Sequence, residues 1–490
     1  MAVVLSAMMF VAAFAPFNQA WCAPVSIALL LWALDGSSVR MAMWLGAVHA
    51  LLGFGALVHW VTDVAWIAWP ALVAVMMVWR VGLAVLVRAC LAHRWPALSV
   101  PAAWVVVEWL QCHVPWGGFP WGRMAYIGGM GWLTRSAAWL SAVGLTFFVV
   151  ALGTSMWLLS QRSHGALRTF AATAAVMLVA AGTAGFAAPE TIPARVLNVG
   201  LVQGGVPREG FGTVAQEQAV FDNHLAQTRE LLRRKSYLAL IVWPENSLGD
   251  AVVGDTQRMA ALRALVGKSG VPLLTGTVLM DSANPSQLRN RSMFWNAQGR
   301  VTQTYDKQHL VPFGEFVPFR SLARKVTSQV DLIGRDFAPG HAPGVITVQP
   351  HVTAGILICF EVGYEDLGRA LGNVSFIVNQ TNNASYMGSA QPEQQFRMSQ
   401  IRAAESGRMT LVAATSGVSG AIDGYGQVVP GTRTDTNRAR SVVVSVPLVK
   451  GLTPAMVVGP VLTYASFGLV ALLWTPWRLA TRRRSAVVTS

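Results

Sequence analysis

Two textures of hydrophobic patterning divide the chain. From the first residue to about residue 187, apolar residues run in near-continuous blocks separated by short polar loops. Blocks of that kind, with no polar face left for water, predict membrane-spanning helices near 2–14, 24–34, 41–61, 65–88, 98–113, 134–159 and 166–187. One more follows at 455–475, which makes about eight. The first lacks a basic leader and a good cleavage site, so it is expected to be a retained helix rather than a signal peptide.

Between residues 190 and 454 the pattern changes to short β-rich runs alternating with helical ones. Runs such as RVLNVGLVQ, LALIVWPE, VPLLTGTVLM, AGILICFE, VSFIVNQT and MTLVAATS predict strands. QEQAVFDNHLAQTRELLRRK and QPEQQFRMSQIRAAESGR space their apolar residues as helices do, and NAQGR and DGYGQ predict hairpin turns. The expected organisation is a transmembrane bundle over 1–189, an α/β domain over 190–454, and a last membrane helix with a basic tail over 455–490.

Composition sharpens this picture. Of 490 residues 53% are hydrophobic and only 12% charged, with 19 Trp and a mean hydropathy of +0.45, values that belong to a membrane protein. The formal charge of +14 does not imply nucleic acid as a partner, because no basic stripe is interleaved with aromatics. Arginine placement gives orientation instead. Loops carrying Arg40, Arg88 with Arg94, and Arg162 with Arg168 alternate with loops poor in positive charge, and Arg482–Arg484 fall on the same side as the first set. Positive residues stay in the cytoplasm, so the α/β domain is expected on the extracytoplasmic side. Arg123, in the PWGGFPWGR loop, runs against the pattern without reversing it.

The candidate chemistry lies in the α/β domain. Four cysteines, Cys22, Cys90, Cys112 and Cys359, show no metal-ligand spacing, and three sit in apolar blocks as small hydrophobes. Cys359 instead ends an apolar run where the chain turns polar. Glu245 stands just past another such run, and Lys307 just past the strand of a predicted hairpin. Only five of the 37 basic residues are lysines (Lys235, Lys268, Lys307, Lys325, Lys450), so a lysine there points to the amine itself. Taken singly, Cys359 reads equally as a core residue, Glu245 as a helix cap and Lys307 as a solvated turn. Together, acid, amine and thiol at strand ends converge on one sheet edge, where α/β sites lie.

WPENS, YDKQHLVPFGEFVPF and ICFEVGYED, in that order, resemble the nitrilase (carbon–nitrogen hydrolase) superfamily. With the apolar blocks and GFPWGR at 118–123, the whole chain resembles the membrane-embedded apolipoprotein N-acyltransferase family of that superfamily. The resemblance implies an αββα sandwich and a catalytic triad: Glu245 as base, Lys307 as oxyanion stabiliser, Cys359 as nucleophile. Glu315 and Glu361 match further acids of the family's site. It implies transfer of an acyl chain from a phospholipid to the N-terminal amine of a diacylglyceryl apolipoprotein, through a thioester, by a monomer in the bacterial cell membrane that needs no cofactor or metal. Where the family reads TNDAWF this chain has TNNASY, so Asn383 replaces an acid and Ser385 an aromatic beside Tyr386; Phe360 follows the cysteine where Tyr is common. The family's tryptophan-bearing loop covers the site, so a looser cover is expected. Phe313, Phe316, Val317 and Phe319 are read as an exposed apolar arm able to lie in the membrane interface, or equally as a loop folded over its own core. A membrane-anchored amidase, in which water resolves the thioester, and a non-catalytic membrane scaffold remain the alternatives.

Overall fold

The computed structural model describes residues 1–93, 95–207, 213–234, 237–326 and 334–487. Arg94, used above for orientation, and Lys235 lie outside the described residues. The chain forms two compact units, Met1–Phe186 with Pro454–Ser490, and Ala187–Thr453.

In the first unit every apolar block becomes a helix: Ala2–Ala12, Cys22–Leu34, Val39–Leu57, Ala68–Leu91, Pro96–Gln111, Ala137–Ser160, Ala166–Gly182 and Pro454–Val487. Among the described residues four stretches are long and apolar enough to cross a membrane, namely Val39–Leu57, Ala68–Leu91, Gly131–Ser160 and Pro454–Leu472. Ala2–Ala12, Cys22–Leu34 and Ala166–Gly182 have 11, 13 and 17 residues, short of the roughly 20 that a hydrocarbon core requires. The span expected over 41–61 stops earlier, because the helix ends at Leu57 and a 3-10 turn, His59–Asp63, follows. Residues such as Trp32, Trp44, Val78, Leu167 and Val179 are exposed while Phe10, Phe54 and Trp104 are buried. An apolar outer surface of that extent is tolerated by lipid and not by water.

The second unit holds eleven strands among the described residues: β1 (Glu190–Gln203), β2 (Leu240–Val242), β3 (Leu273–Met280), β4 (Leu288–Trp295), β5 (Val301–Asp306), β6 (Val345–Gln349), β7 (Val352–Ile358), β8 (Phe376–Thr381), β9 (Thr410–Ala414), β10 (Gly420–Ile422) and β11 (Arg440–Lys450). One sheet runs β11–β1–β2–β3–β4–β5 and the other β10–β9–β8–β7–β6. Period-two alternation explains their stacking. Leu240 and Val242 of β2 join Ile356 and Ile358 of β7 in one core between the sheets, whereas Ile241 turns outward against Phe221 and Leu262. Helices Val214–Arg233 and Thr256–Ser269 cover the first sheet. Helix Gln391–Ser406 covers the second through Phe396 and Ala403 on Val412 and Ile422. Each fully buried Ile or Leu side chain in this double core contributes about 1.5–3 kcal/mol, enough to hold the strand ends that carry polar residues. β7, β8 and β9 run parallel, as do β1, β2 and β3. This is the nitrilase-like sandwich, and the segments after β2, β5, β7 and β8 supply its polar cluster.

Candidate active site

β7 is buried from Ala354 to Ile358, and the chain leaves it through Cys359 at φ 54°. A non-glycine residue in that left-handed region costs about 1–2 kcal/mol, so the surroundings must enforce it. The turn lifts Cys359 out of the strand, and it is the only partly exposed cysteine among the four. Its sulfur accepts from Thr381 Oγ1 and Gln395 Nε2, both at 3.3 Å. Burial and the Glu245 charge push the thiol up to about 11, against the pull of Lys307, Thr381 and Gln395. At neutral pH the resting sulfur is therefore a thiol, and its proton must leave as attack proceeds.

Glu245 follows β2 through Trp243 and Pro244. Gly276 of β3 makes room for it, since a Cβ there would stand 2.5 Å from the Glu245 Cα. The carboxylate is buried, yet both oxygens are bonded. Oε1 accepts from Asn290 Nδ2 at 2.7 Å and Lys307 Nζ at 3.5 Å, and Oε2 from the Asn382 N–H at 2.8 Å. Burial raises its pKa, Lys307 lowers it and Glu315 raises it again, leaving it above the ordinary carboxylate value. That is the direction a general base needs.

Lys307 is buried just beyond β5 and donates to Glu315 at 2.9 Å as well as to Glu245. Burial alone would lower its pKa, but Glu315, Glu245 and Cys359 outweigh it and hold the ammonium above its ordinary value. Two of its three N–H groups are thus used among the described residues, and the third remains for an oxyanion. Glu315 closes the arrangement by accepting from Asn290 Nδ2 at 2.8 Å and the Val311 N–H at 2.8 Å.

Glu361 does different work. Fully buried, it accepts from Tyr305 at 2.9 Å and from the N–H groups of Gln308 at 2.7 Å, His309 at 3.3 Å and Ile358 at 2.8 Å. One carboxylate therefore ties the segment bearing Lys307 to the turn bearing Cys359. Burial pushes it up to about 7, while the Ile358 and Gln308 N–H groups, Lys307 and Tyr305 pull it down.

The loop residues fall into place unevenly. Asn383 is buried, and its Nδ2 donates to Gln391 at 2.8 Å and Gln395 at 2.7 Å. It is a post behind the sulfur contact of Gln395, not part of a looser cover, because two glutamine carbonyls fix it inside. Ser385 and Tyr386 are half-buried, and burial, then Cys359, raise the Tyr386 phenol. Of the expected arm, Phe313 and Phe319 are exposed and Phe316 is half-buried. Val317 is buried, contrary to expectation, because its N–H turns in to Asp336 Oδ1 at 3.2 Å.

The pattern reading passed over Asn290, Tyr305, Thr381 and Gln395. Asn290 carried a signal: it occupies an inward position of β4, where the alternation calls for an apolar residue, and so does Ser292, which donates to Gln380. Tyr305 on β5 is likewise inward. Gln395 sits on a helix distant in sequence, and only the fold brings it to the sulfur.

Residues 6–155 match the family described as apolipoprotein N-acyltransferase N-terminal domain, and residues 198–444 match the carbon-nitrogen hydrolase family. The apolipoprotein N-acyltransferase of Allorhizobium ampelinum is 30% identical over 452 residues, covering 83% of this chain and 82% of that protein. That of Methylococcus capsulatus is 30% identical over 450 residues, covering 85% and 84%. The one from Caulobacter vibrioides is 27% identical over 489 residues, covering 91% and 86%.

Proposed function

The chain belongs to the apolipoprotein N-acyltransferase family of membrane enzymes, and from that premise we propose that Glu245, Lys307 and Cys359 carry its acyl transfer. The observation that supports this most is the Lys307 ammonium held between Glu245 at 3.5 Å and Glu315 at 2.9 Å, with the Glu245 charge acting on the Cys359 thiol.

In the proposed sequence Cys359 Sγ attacks the ester carbonyl of a phospholipid while Glu245 takes the thiol proton. The Lys307 ammonium, with a backbone N–H, stabilises the tetrahedral oxyanion, an effect of about 3 kcal/mol per donor. Collapse breaks the C–O bond, and Glu245 returns the proton to the departing lysophospholipid oxygen. The N-terminal amine of a diacylglyceryl-cysteine on an apolipoprotein then attacks the thioester. The C–N bond forms, the C–S bond breaks, and the amine proton passes through Glu245 to sulfur. Glu361 and Asn290 are positioning residues, the first joining the two catalytic segments and the second holding Glu245 and Glu315 apart around the ammonium. Phe313, Phe316, Ser385 and Tyr386 are read as contacts for the acyl chain or the loops around it.

We read the bundle as eight spans, the three short helices and Pro96–Gln111 included, with the catalytic unit extracytoplasmic and the C-terminal helix ending in the cytoplasm. We read the working enzyme as a monomer.

Incubation with phospholipid alone tests the chemistry. A thioester on Cys359, sensitive to neutral hydroxylamine and transferable to a diacylglyceryl-cysteinyl peptide, is expected; turnover by Cys359→Ser at the wild-type rate would remove the mechanism. Reporters fused after residues 188 and 487 should lie on opposite sides of the membrane. Finding both on one side would discard the eight-span reading.

A further inference from the structure

Three charged side chains are buried in the first unit among the described residues: Arg80, Glu108 and Arg123. Glu108 is satisfied. Oε1 accepts from Trp104 Nε1 at 3.1 Å and the Met124 N–H at 2.9 Å, Oε2 from Thr146 Oγ1 at 2.9 Å, and Arg123 pairs with it at 3.6 Å. Two guanidinium groups against one carboxylate leave one positive charge; Arg123 makes the ion pair, and Arg80 makes none among the described residues, although the Glu108 charge also acts on it.

Arg80 lies midway along Ala68–Leu91 and is 3% exposed. Its guanidinium carbon stands 5.0 Å from the centroids of the Phe10 and Phe54 rings and 5.1 Å from that of Trp104. Aromatic faces attract a cation, but they leave the in-plane N–H groups unserved. Nε and Nη2 are buried and have no hydrogen-bond partner among the described residues. His49 is 1% exposed and meets the same Phe10 ring at a tilt, 5.5 Å between centroids, and both of its nitrogens are likewise buried and unpartnered among the described residues. Leaving such donors bare in an apolar interior costs about 1–3 kcal/mol each, and an uncompensated charge there costs more.

Water would serve the N–H groups but would leave the charge. We propose that the unpartnered N–H groups of Arg80, with His49 against the same Phe10 ring, bind a monovalent, halide-sized anion, which accepts from the guanidinium and from one imidazole N–H and completes the charge balance of the bundle. The burial of both side chains excludes a lipid headgroup, and the aromatic rings set the small size. This site is independent of the acyl-transfer chemistry.

The full-length protein in detergent, at constant ionic strength, supplies the test. Replacing gluconate by chloride or bromide should raise Tm in a saturable way, as a ligand of the folded state does. Arg80→Met should abolish that dependence and be at least as stable in gluconate as the wild type, since an apolar residue then replaces an unpaired charge. A Tm indifferent to halide in the wild type, or a halide effect surviving in Arg80→Met, would overturn the site. If that variant does not fold, bromide-soaked wild-type crystals decide: anomalous density against Arg80 and His49 supports the site, and its absence at saturating bromide refutes it.

Discussion

Both units bury charge, and they handle it differently. In the catalytic unit a buried ammonium sits between two carboxylates, and every oxygen of Glu245, Glu315 and Glu361 has a donor. In the membrane unit one buried guanidinium is faced by three aromatic rings, and its Nε and Nη2 have no hydrogen-bond partner among the described residues. The difference teaches where the charge is put to use. The groups proposed to exchange a proton with substrate are held by many fixed donors, so that their geometry would not relax when the charge moves. A charge that only has to remain in place can lean on polarizable faces and on a small diffusible partner.

That contrast is broken most directly at the triad. Cys359→Ser and Glu245→Gln should each lower kcat by about 10³-fold or more, the first by removing the thiolate and the second by removing the base. Thioester trapping with phospholipid should show no adduct in either. Lys307→Met is expected to fail in a second way as well. It leaves Glu245 and Glu315 facing each other without a counter-charge, a loss of about 3–5 kcal/mol in stability measurable by denaturant unfolding. A stable, folded Lys307→Met protein would mean that the carboxylates do not depend on the ammonium.

The next effect is one of pH. Glu361 is raised to about 7 by burial, so between an ordinary carboxylate value and 7 the folded protein binds a proton that the unfolded chain releases. Stability contributed by that proton is complete at low pH and is lost as pH rises through this window, by up to about 3 kcal/mol. Glu361→Gln should flatten that slope in a Tm-against-pH series. It should also lower kcat, because an amide cannot accept from the Gln308, His309 and Ile358 N–H groups and from Tyr305 together. A slope identical to the wild type would move the titrating group elsewhere.

Smaller effects sharpen the comparison on each side. Thr146→Val removes one donor from Glu108 in the membrane unit and should cost about 1–3 kcal/mol in detergent thermal unfolding without altering thioester formation. Ser385→Trp should narrow the range of acyl donors used, read with a phospholipid panel, if the half-buried loop after Asn383 borders the acyl chain. An unchanged donor profile would put that loop outside the lipid pocket.

Much of this was legible in the chain. Apolar blocks without a polar face predict bundle helices because lipid leaves no other solution for the backbone, and runs such as AGILICFE predict β strands because period and length leave few others. Glu245, Lys307 and Cys359 could be named because each stands just past a strand-like run, and Glu315 and Glu361 because they match further acids of the family that the chain resembles. What patterning does not carry is the partner of each polar group. Gln395 reaches sulfur from a helix 36 positions away, Asn290 joins two carboxylates 45 and 25 positions distant, and Asn383 proved to be an internal post. Val317 turned inward, and the helices from the blocks at 2–14 and 166–187 end earlier than expected, at Ala12 and Gly182. Periodicity determines which face of an element is buried, since that depends on neighbours along the chain. Which donor meets which acceptor depends on how the two sheets and their helices stack, and which cation goes without an anion depends on how the bundle packs. Those are properties of contacts between distant residues, and only the tertiary structure decides them.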